Sequence, residues 1–423
     1  MRSIPSYSTH GGLPLSSEFQ SGDIVLCRHG TIDRFGTFIT LRDGKATVKL
    51  DNGYNIGVSL DEISLVKRPD ISTPPPAMVT QNETLPQLSI VSTGGTIASR
   101  IDYRTGAVTS QFDAEDILRA IPRLVTIAHY RARKLYTILS ENMTPAIWKE
   151  LAQAVYQEIR NDSAGVIVTH GTDTMAYSAA ALSFMIDTPV PVLFVGSQRS
   201  ADRPSSDNTV NALCSASAAV SDLGEVAVVM HGTLSDDICH IHRGTRVRKM
   251  HTSGRSAFQS IGIPPIGRVR YPSLEVNLEA TAIRRGTQEL TLASSLEEKC
   301  GLLYSYPGMP AEAITSFSEY KGLVIAGTGL GHVSTSLIPT IKELVDGGSM
   351  VVMTSQCLHG RVCDRVYDTG RDLIKAGVIE GGDILPEVAL VKQMWILGNE
   401  RDPERAGAMM GTCLKGECGG RSL

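Results

Sequence analysis

The sequence GVIVTHGTDTM at residues 165–175 has the form of a buried strand, a turn and the start of a helix. Its first five residues are mostly β-branched and apolar, which is typical of a strand covered on both faces. The Ala-rich segment 175–186 follows at once and predicts a helix packed on a sheet. A strand that runs directly into a helix is the repeating unit of an α/β domain.

The same unit recurs along most of the chain. Further strands are predicted at residues 88–92, 190–195, 225–230, 322–326 and 349–353. Helices are predicted from the Thr144-Pro145 cap to about Ile159, and at 208–220, 334–345 and 386–397. We therefore predict two α/β domains with mainly parallel sheets, over residues 87–300 and 301–423.

Residues 1–86 follow a different pattern. Short β-type runs (DIVLC, GTFITL, ATVKL and NIGVSL) are separated by the turn pairs Asp43-Gly44 and Asn52-Gly53. They predict a small SH3-like β-barrel within residues 1–70. Residues 71–86 contain three consecutive prolines and no aromatic residue, so we interpret them as a linker.

The composition excludes several classes of protein. The 423 residues carry a net charge of 40 − 44 = −4 and are 42% hydrophobic, which argues against wholesale disorder and gives no general reason for nucleic-acid binding. There is no apolar run long enough for a membrane helix and no secretory signal near the start. Eight scattered cysteines fit reduced thiols, so we expect a cytoplasmic protein without a membrane partner.

The chemistry is expected at the carboxyl ends of two strands, where open α/β sheets bind ligands. The first strand runs into Thr93-Gly94-Gly95-Thr96, and the second runs into Thr169-His170-Gly171-Thr172-Asp173. Each places a hydroxyl beside glycine, in a turn whose N–H groups can face a developing oxyanion. A threonine hydroxyl needs a base within hydrogen-bond reach to act as a nucleophile.

Lys249 is the candidate base. It lies in a segment, residues 238–274, that contains no acidic residue but also contains Arg243, Arg246, Arg248, Arg255, Arg268 and Arg270. Crowded cations disfavour the charged form of a lysine and lower its pKa, which suits a general base. A solvated basic face is the alternative interpretation, and the sequence leaves it open.

Two other ligand patterns are weaker. Gly327 to His332 follows a strand as a dinucleotide-binding loop would, but His332 occupies the place of the third glycine. The groups Cys357, His359, Cys363 and Cys413, Cys418 have spacings unlike common zinc motifs, so we expect no metal in this chain.

Several motifs resemble a known family. TGGTIA at 93–98 and THGTDTM at 169–175 resemble the two signature motifs of the bacterial-type L-asparaginases, and GTGLGHV at 327–333 resembles their C-terminal-domain loop. The resemblance spans roughly residues 87–400 and implies a two-domain asparaginase-like fold. KLDNGYNIGV at 49–58 and GDILPEVALVKQMWILG at 382–398 are similar to the D-subunit family of archaeal glutamyl-tRNA(Gln) amidotransferases.

The resemblance to the D subunits implies a glutaminase that supplies ammonia to a partner, the E subunit of the amidotransferase. With ATP and Mg²⁺, which are expected in the partner and not in this chain, the E subunit converts Glu-tRNA(Gln) to Gln-tRNA(Gln). The resemblance also implies a homodimer within a heterotetramer, with tRNA(Gln) engaged through the complex. A free-standing L-asparaginase or glutaminase is the alternative; it would begin near Leu88. A non-catalytic scaffold for RNA or protein is a third hypothesis.

The resemblance also implies roles for individual residues. Thr96 corresponds to the nucleophile, while Thr172, Asp173 and Lys249 correspond to the second catalytic group, with Asp173 holding the substrate α-ammonium. Which threonine forms the acyl-enzyme stays open. The remaining implied residues are Ser140 and Glu141 as contacts of the α-carboxylate and α-amino groups, Gly95 and Gly171 as oxyanion donors, and Tyr103 and Thr105 in the lid segment. The preference between glutamine and asparagine is not readable from these residues.

Overall fold

The computed structural model describes residues 19–29, 32–42, 44–50, 54–68, 80–94, 100–101, 108–109, 114–200, 203 and 205–420. Gly95, Thr96, Tyr103, Thr105 and most of the predicted linker therefore lie outside the described residues. The described residues divide into two compact units. Unit 1 takes its residues from Met1–Ala77, Ser99–Thr109 and Ala201–Ser206, and unit 2 from the remainder of the chain.

The strands of the described residues are, in chain order, β1 (Ile24–His29), β2 (Ile32–Arg42), β3 (Lys45–Leu50), β4 (Asn55–Ser59), β5 (Ile63–Lys67), β6 (Gln87–Gly94), β7 (Arg100–Ile101), β8 (Val108–Thr109), β9 (His129–Ile138), β10 (Gly165–Thr169), β11 (Ile186–Asp187), β12 (Val192–Val195), β13 (Val226–His231), β14 (Ile238–Arg243), β15 (Val247–Lys249), β16 (Phe258–Ser260), β17 (Gly267–Arg270), β18 (Glu275–Leu278), β19 (Thr291–Leu292), β20 (Cys300–Tyr304), β21 (Gly322–Gly327), β22 (Met350–Ser355) and β23 (Ile379–Glu380).

The helices of the same residues are α1 (Ala114–Ala120), α2 (Pro145–Arg160), α3 (Met175–Met185), α4 (Asn208–Ala219), α5 (Glu312–Thr315), α6 (Ile338–Asp346), α7 (Asp368–Lys375), α8 (Pro386–Asn399) and α9 (Pro403–Met410). Short 3-10 helices cover Leu60–Glu62, Pro122–Thr126, Ser140–Asn142 and Thr335–Leu337. No helix among the described residues is both long and apolar enough to cross a membrane.

Unit 1 contains a five-stranded antiparallel sheet in the order β4-β3-β2-β1-β5. Arg42 pairs with Lys45 on the two sides of the first predicted hairpin turn, and Lys49 pairs with Asn55 across the second. The buried side chains of this unit include Val25, Cys27, Phe38, Ala46, Val48, Leu50, Val58 and Ile63. The predicted strands are thus present and antiparallel; their closure into an SH3-like barrel stays a prediction.

Unit 2 is built on an eight-stranded sheet in the order β18-β17-β14-β13-β12-β10-β6-β9. The five strands from β13 to β9 in that order pair in parallel, as predicted. Helix α2 begins after the predicted cap, where the Thr144 side chain accepts a hydrogen bond from the Ile147 N–H. Its apolar face packs with α3 against one side of the sheet, which buries Trp148, Leu151 and Val155.

The other edge of this sheet is antiparallel, and two of its three strands lie in the basic segment 238–274, where the sequence patterns predicted no strands. Strands β14, β17 and β18 extend the sheet from β13 through antiparallel pairs. In β17 the residues Gly267 and Val269 are buried while Arg268 and Arg270 are exposed. The arginines on the solvent face of an alternating strand therefore account for part of the basic character.

A second, four-stranded parallel sheet has the order β20-β21-β22-β23. Helix α8 packs against its strands β20 and β21 and against α3, so one apolar cluster includes residues from both sheets. Lys392 of α8 is fully buried and forms an ion pair with the equally buried Glu417, with Nζ to Oε1 at 2.7 Å. Its ammonium also donates a hydrogen bond to the Met410 carbonyl at 3.0 Å.

We expect the Lys392→Met variant to unfold more easily, by about 3–5 kcal/mol, because a buried carboxylate loses its counter-ion. Chemical denaturation followed by circular dichroism measures the change. The matched control is Lys342→Met, which breaks the exposed pair with Asp346 and should cost less than about 1 kcal/mol. Equal denaturation midpoints for Lys392→Met and Lys342→Met would contradict the stabilising role of the buried pair. Adding Glu417→Gln to Lys392→Met removes the unpaired buried charge, so the double variant should recover part of the lost stability.

Candidate active site

The turn after β10 carries the first part of the site. β10 ends at Thr169, α3 begins at Met175, and the five residues between them form the turn. The residue that caps α3 is Thr174, and its side chain makes no capping hydrogen bond. The N-cap position of α3 therefore belongs to Thr174 and not to Thr172 or Asp173.

Lys249 reaches this turn from the end of β15. Its Nζ donates a hydrogen bond to Thr172 Oγ1 at 2.9 Å and to Asp173 Oδ1 at 2.6 Å. The Lys249 side chain is 13% exposed and that of Asp173 is 67% exposed, so the lysine is shielded while the carboxylate faces solvent. The fold thus brings together three of the four predicted catalytic residues, although Thr172 and Lys249 are 77 positions apart. Thr96 lies outside the described residues.

The arginines around Lys249 have partners, and this corrects both sequence-based interpretations of the basic run. Arg243 pairs with Glu225 at 2.7 Å, Arg246 with Asp383 at 3.0 Å and Arg248 with Glu387 at 3.2 Å. Arg246 is only 1% exposed, so the segment is not simply a solvated basic face. The crowded-cation argument is wrong for these arginines, because carboxylates from outside the run compensate their charge.

Arg246 also anchors the strand that carries Lys249. Its guanidinium donates from Nε to the Gly416 carbonyl at 3.0 Å and from NH1 to the Asp383 carbonyl at 3.2 Å. The Thr245 hydroxyl donates to the Lys415 carbonyl at 2.9 Å. The C-terminal segment therefore holds the chain just before β15. The sequence carried no signal for this long-range contact.

Ser140, predicted to contact substrate, lies directly beside the turn after β10. The Thr174 hydroxyl donates a hydrogen bond to the Ser140 carbonyl at 2.7 Å. A Cβ built on Gly171 would lie 2.7 Å from the Ser140 Cβ, so only glycine fits at this approach. Ser140 is buried and its neighbour Glu141 is exposed in the same 3-10 turn. Ser140 thus flanks the turn that carries Thr172, and Glu141 is its neighbour in the chain.

For the amide hydrolysis that the resemblance to the asparaginases implies, we expect the Gly171→Ala variant to lose about 100-fold in kcat/KM, because the new methyl group displaces the turn from Ser140. A steady-state ammonia-release assay measures the loss. Gly57→Ala is the control, since a Cβ at that position meets nothing within 4 Å. If Gly171→Ala were as active as Gly57→Ala, the close contact between Gly171 and Ser140 would not matter for the reaction.

A hydrogen bond joins the carboxyl ends of β6 and β10 next to this turn. Thr93, at the end of β6, donates from its hydroxyl to the Thr169 carbonyl at 3.0 Å. Gly94 has a φ of 116°, a conformation that favours glycine. A Cβ there would lie 2.6 Å from the Ile138 carbonyl oxygen. Gly94 is the last described residue before Gly95 and Thr96, whose predicted roles therefore stay predictions.

His170 lies next to the site, although the sequence patterns predicted no role for it. Its ring is fully buried, and Nδ1 lies 2.6 Å from the Gly171 carbonyl oxygen. Burial lowers the pKa of His170 to about 4, so the ring is neutral near pH 7. A neutral imidazole with Nδ1 protonated can hold the Gly171 carbonyl, which helps to fix the peptide before Thr172. Its position directly after a buried strand was the available sequence signal.

Comparisons with known proteins show the class of protein to which this chain belongs. Residues 87–282 match the family model "Asparaginase, N-terminal", and residues 299–410 match "Glutaminase/Asparaginase C-terminal domain". The solved L-asparaginase from Thermococcus kodakarensis is 32% identical with a TM-score of 0.71, and L-asparaginase I from Vibrio cholerae is 28% identical with a TM-score of 0.68. Each alignment covers 79% of this chain and 99% of the other. The predicted two-domain asparaginase-like fold is thereby confirmed.

The more specific relatives extend beyond that fold. The D subunit of the glutamyl-tRNA(Gln) amidotransferase from Methanosarcina mazei is 53% identical over 95% of this chain and 98% of its own length. The corresponding D subunit from Archaeoglobus fulgidus is 55% identical over 88% of this chain and 89% of its own length. The chain belongs to the family of glutamyl-tRNA(Gln) amidotransferase D subunits, which confirms the resemblance seen in the sequence.

Proposed function

We propose that this chain is the glutaminase subunit of a tRNA-dependent amidotransferase. It hydrolyses the carboxamide of glutamine, and the ammonia is used to convert Glu-tRNA(Gln) to Gln-tRNA(Gln). The observation that carries the proposal is the hydrogen-bonded group of Thr172, Asp173 and Lys249, in a chain of the D-subunit family. The asparaginase neighbours leave about a fifth of the chain uncovered, whereas the M. mazei relative spans nearly all of it.

The reaction proceeds by acyl transfer through threonine. A hydroxyl oxygen attacks the carboxamide carbon, its proton passes to a base, and the amide nitrogen leaves as ammonia after taking up a proton. Water then hydrolyses the threonyl ester and releases glutamate. Lys249 is the proposed base for Thr172, because its Nζ is already within hydrogen-bond distance of the hydroxyl. Thr96, the nucleophile that the family resemblance implies, is proposed as the second hydroxyl of the site.

The substrate's own charges fit the residues around the turn. The exposed Asp173 carboxylate binds the α-ammonium group, and Ser140 and Glu141 complete the contacts with the amino-acid end. The N–H groups of Gly95 and Gly171 are the proposed donors to the oxyanion. When Asp173 turns to the substrate, its hydrogen bond with Lys249 weakens, which frees the lysine to exchange a proton with Thr172.

The partners follow from the proposed role. The E subunit of the amidotransferase holds ATP and Mg²⁺ and carries out amidation, tRNA(Gln) is engaged through the complex, and two copies of this chain form the core of a heterotetramer. An SH3-like barrel over residues 1–70 is proposed as a docking module of the complex. The support is the antiparallel five-stranded sheet of unit 1. The scattered cysteines support a cytoplasmic location.

The proposal is tested by co-purifying the chain with its partner subunit and measuring glutamine hydrolysis with and without Glu-tRNA(Gln). We expect hydrolysis to rise when both partner and charged tRNA are present, and the complex to make Gln-tRNA(Gln) with glutamine as the nitrogen source. Strong asparagine hydrolysis by the isolated chain, unaffected by the partner, would instead support a free-standing asparaginase. A complex that does not amidate Glu-tRNA(Gln) would overturn the proposal.

A further inference from the structure

The C-terminal turn brings two thiols and a carboxylate together, away from Thr172 and Lys249 in the sequence. One ligand atom each from Cys413, Glu417 and Cys418 lies within 4.8 Å of the others. Cys413 Sγ is 3.8 Å from Glu417 Oε2 and accepts a hydrogen bond from the Cys418 N–H at 3.4 Å. Backbone N–H donation to sulfur and short separations between the donor atoms are features of metal–thiolate sites.

We propose that Cys413 and Cys418 bind a thiophilic divalent metal ion such as Zn²⁺, with the Glu417 carboxylate as a third ligand. In a tetrahedral zinc site, metal–sulfur bonds of about 2.3 Å place two sulfur ligands roughly 3.8 Å apart. Because no two of the three ligand atoms lie more than 4.8 Å apart, the two sulfur atoms need to approach by at most about 1 Å to reach that geometry. Binding forms two metal–sulfur bonds and releases two thiol protons to solvent.

The carboxylate is held in place for such a role. Glu417 Oε1 accepts from Lys392 Nζ at 2.7 Å and from the Leu414 N–H at 2.9 Å, while Oε2 accepts from the Lys415 N–H at 2.6 Å. These contacts fix the carboxylate and leave Oε2 next to the Cys413 sulfur. Because Lys392 balances the charge of Glu417, the two thiolates supply the double negative charge that a divalent ion compensates.

A cavity gives access to the thiols. It has a volume of about 510 Å³, and its lining includes Cys413, Cys418, Cys363 and Glu380. A water molecule in this cavity would supply the fourth ligand. The spacing of Cys413 and Cys418 differs from common zinc motifs, and for this reason the sequence pattern predicted no metal in this chain. The folded turn provides the proximity that the spacing does not indicate.

The proposed ion has a structural role. The same turn presents the Lys415 and Gly416 carbonyls to Thr245 and Arg246, three to four residues before Lys249. A metal ion that closes the turn would stabilise this anchoring segment without touching the substrate. The inference therefore does not depend on the proposed glutaminase activity, and it is tested by metal binding and thermal stability.

The test is titration of the full-length, reduced and metal-free chain with Zn²⁺ against a chromogenic chelator. Cd²⁺ in a parallel titration reports thiolate ligation through its near-ultraviolet charge-transfer absorption. We expect one ion per chain, a higher melting temperature with Zn²⁺, and at least about 100-fold weaker binding in Cys413→Ser and Cys418→Ser. Cys357→Ser, a change at an exposed cysteine elsewhere, should bind as the wild type does.

Three results would overturn the inference. The first is no Zn²⁺ bound by the reduced wild type, and the second is undiminished binding by the Cys413→Ser/Cys418→Ser double variant. The third is a Cd²⁺ titration without thiolate absorption. Because both single variants replace sulfur by oxygen in a part-exposed turn, their unliganded melting temperatures check that the fold survives.

Discussion

Thr172→Val is expected to abolish most of the glutaminase activity, with kcat falling at least about 1,000-fold, or about 4 kcal/mol in transition-state stabilisation. Valine keeps the shape of threonine but removes the hydroxyl that lies 2.9 Å from Lys249 Nζ. The loss of activity therefore measures the contribution of the hydroxyl group alone. Ammonia release from glutamine, measured with the partner subunit present, gives the rate.

Two further variants separate chemistry from packing at this position. Thr172→Ser keeps the hydroxyl and removes only the methyl group that lies over Gly196, so it should stay within about tenfold of wild type. Thr315→Val makes the same chemical change on α5, where the hydroxyl donates to the Glu312 carbonyl, and should leave the rate unchanged. If Thr172→Val hydrolyses glutamine as fast as Thr172→Ser, the hydroxyl is not part of the reaction.

Lys249→Met has the second large expected effect, a loss of about 100- to 10,000-fold in kcat, because the proton acceptor for Thr172 is removed while the aliphatic stem remains. The matched control is Lys149→Met, which removes an ammonium of α2 that pairs with Glu298 and should not change the rate. The assay is the same ammonia release, with thermal melting to confirm folding.

The Lys249→Arg variant tests whether residue 249 accepts a proton or only holds Asp173 in place. Arginine could keep an ion pair with Asp173, but its guanidinium does not give up a proton near neutral pH. We therefore expect Lys249→Arg to be as inactive as Lys249→Met. Recovery of activity in Lys249→Arg would show that residue 249 acts only by holding Asp173 in place.

The sequence predicted the central part of this architecture well, because each parallel strand and its helix form a local pattern. The strand at 165–169 and the helices after Thr144, Thr174 and Asp207 have the expected positions. The threonine motif was recognisable for the same reason: Thr172 and Asp173 lie in a short turn whose place is fixed by the strand before it and the helix after it.

The surroundings of Lys249 were harder to predict, because they depend on contacts between distant residues. Sequence spacing could not show that Arg246 meets Asp383 and Gly416, or that Arg248 meets Glu387. The nearby cations suggested a lysine among uncompensated charges, whereas each of these arginines has a carboxylate partner. The closeness of Ser140 to Gly171 likewise depends on how α2 and α3 pack, which no local pattern encodes.

The most direct test of the central claim follows the amide nitrogen of glutamine into tRNA-bound glutamine. The complex is supplied with amide-¹⁵N-labelled glutamine, ATP and Glu-tRNA(Gln), and the wild type is compared with Thr172→Val. We expect the wild type to transfer the label and Thr172→Val to transfer almost none, while added ammonium restores amidation by the variant. Label transfer by Thr172→Val at the wild-type rate, or failure of the wild type to transfer the label, would contradict the proposed function.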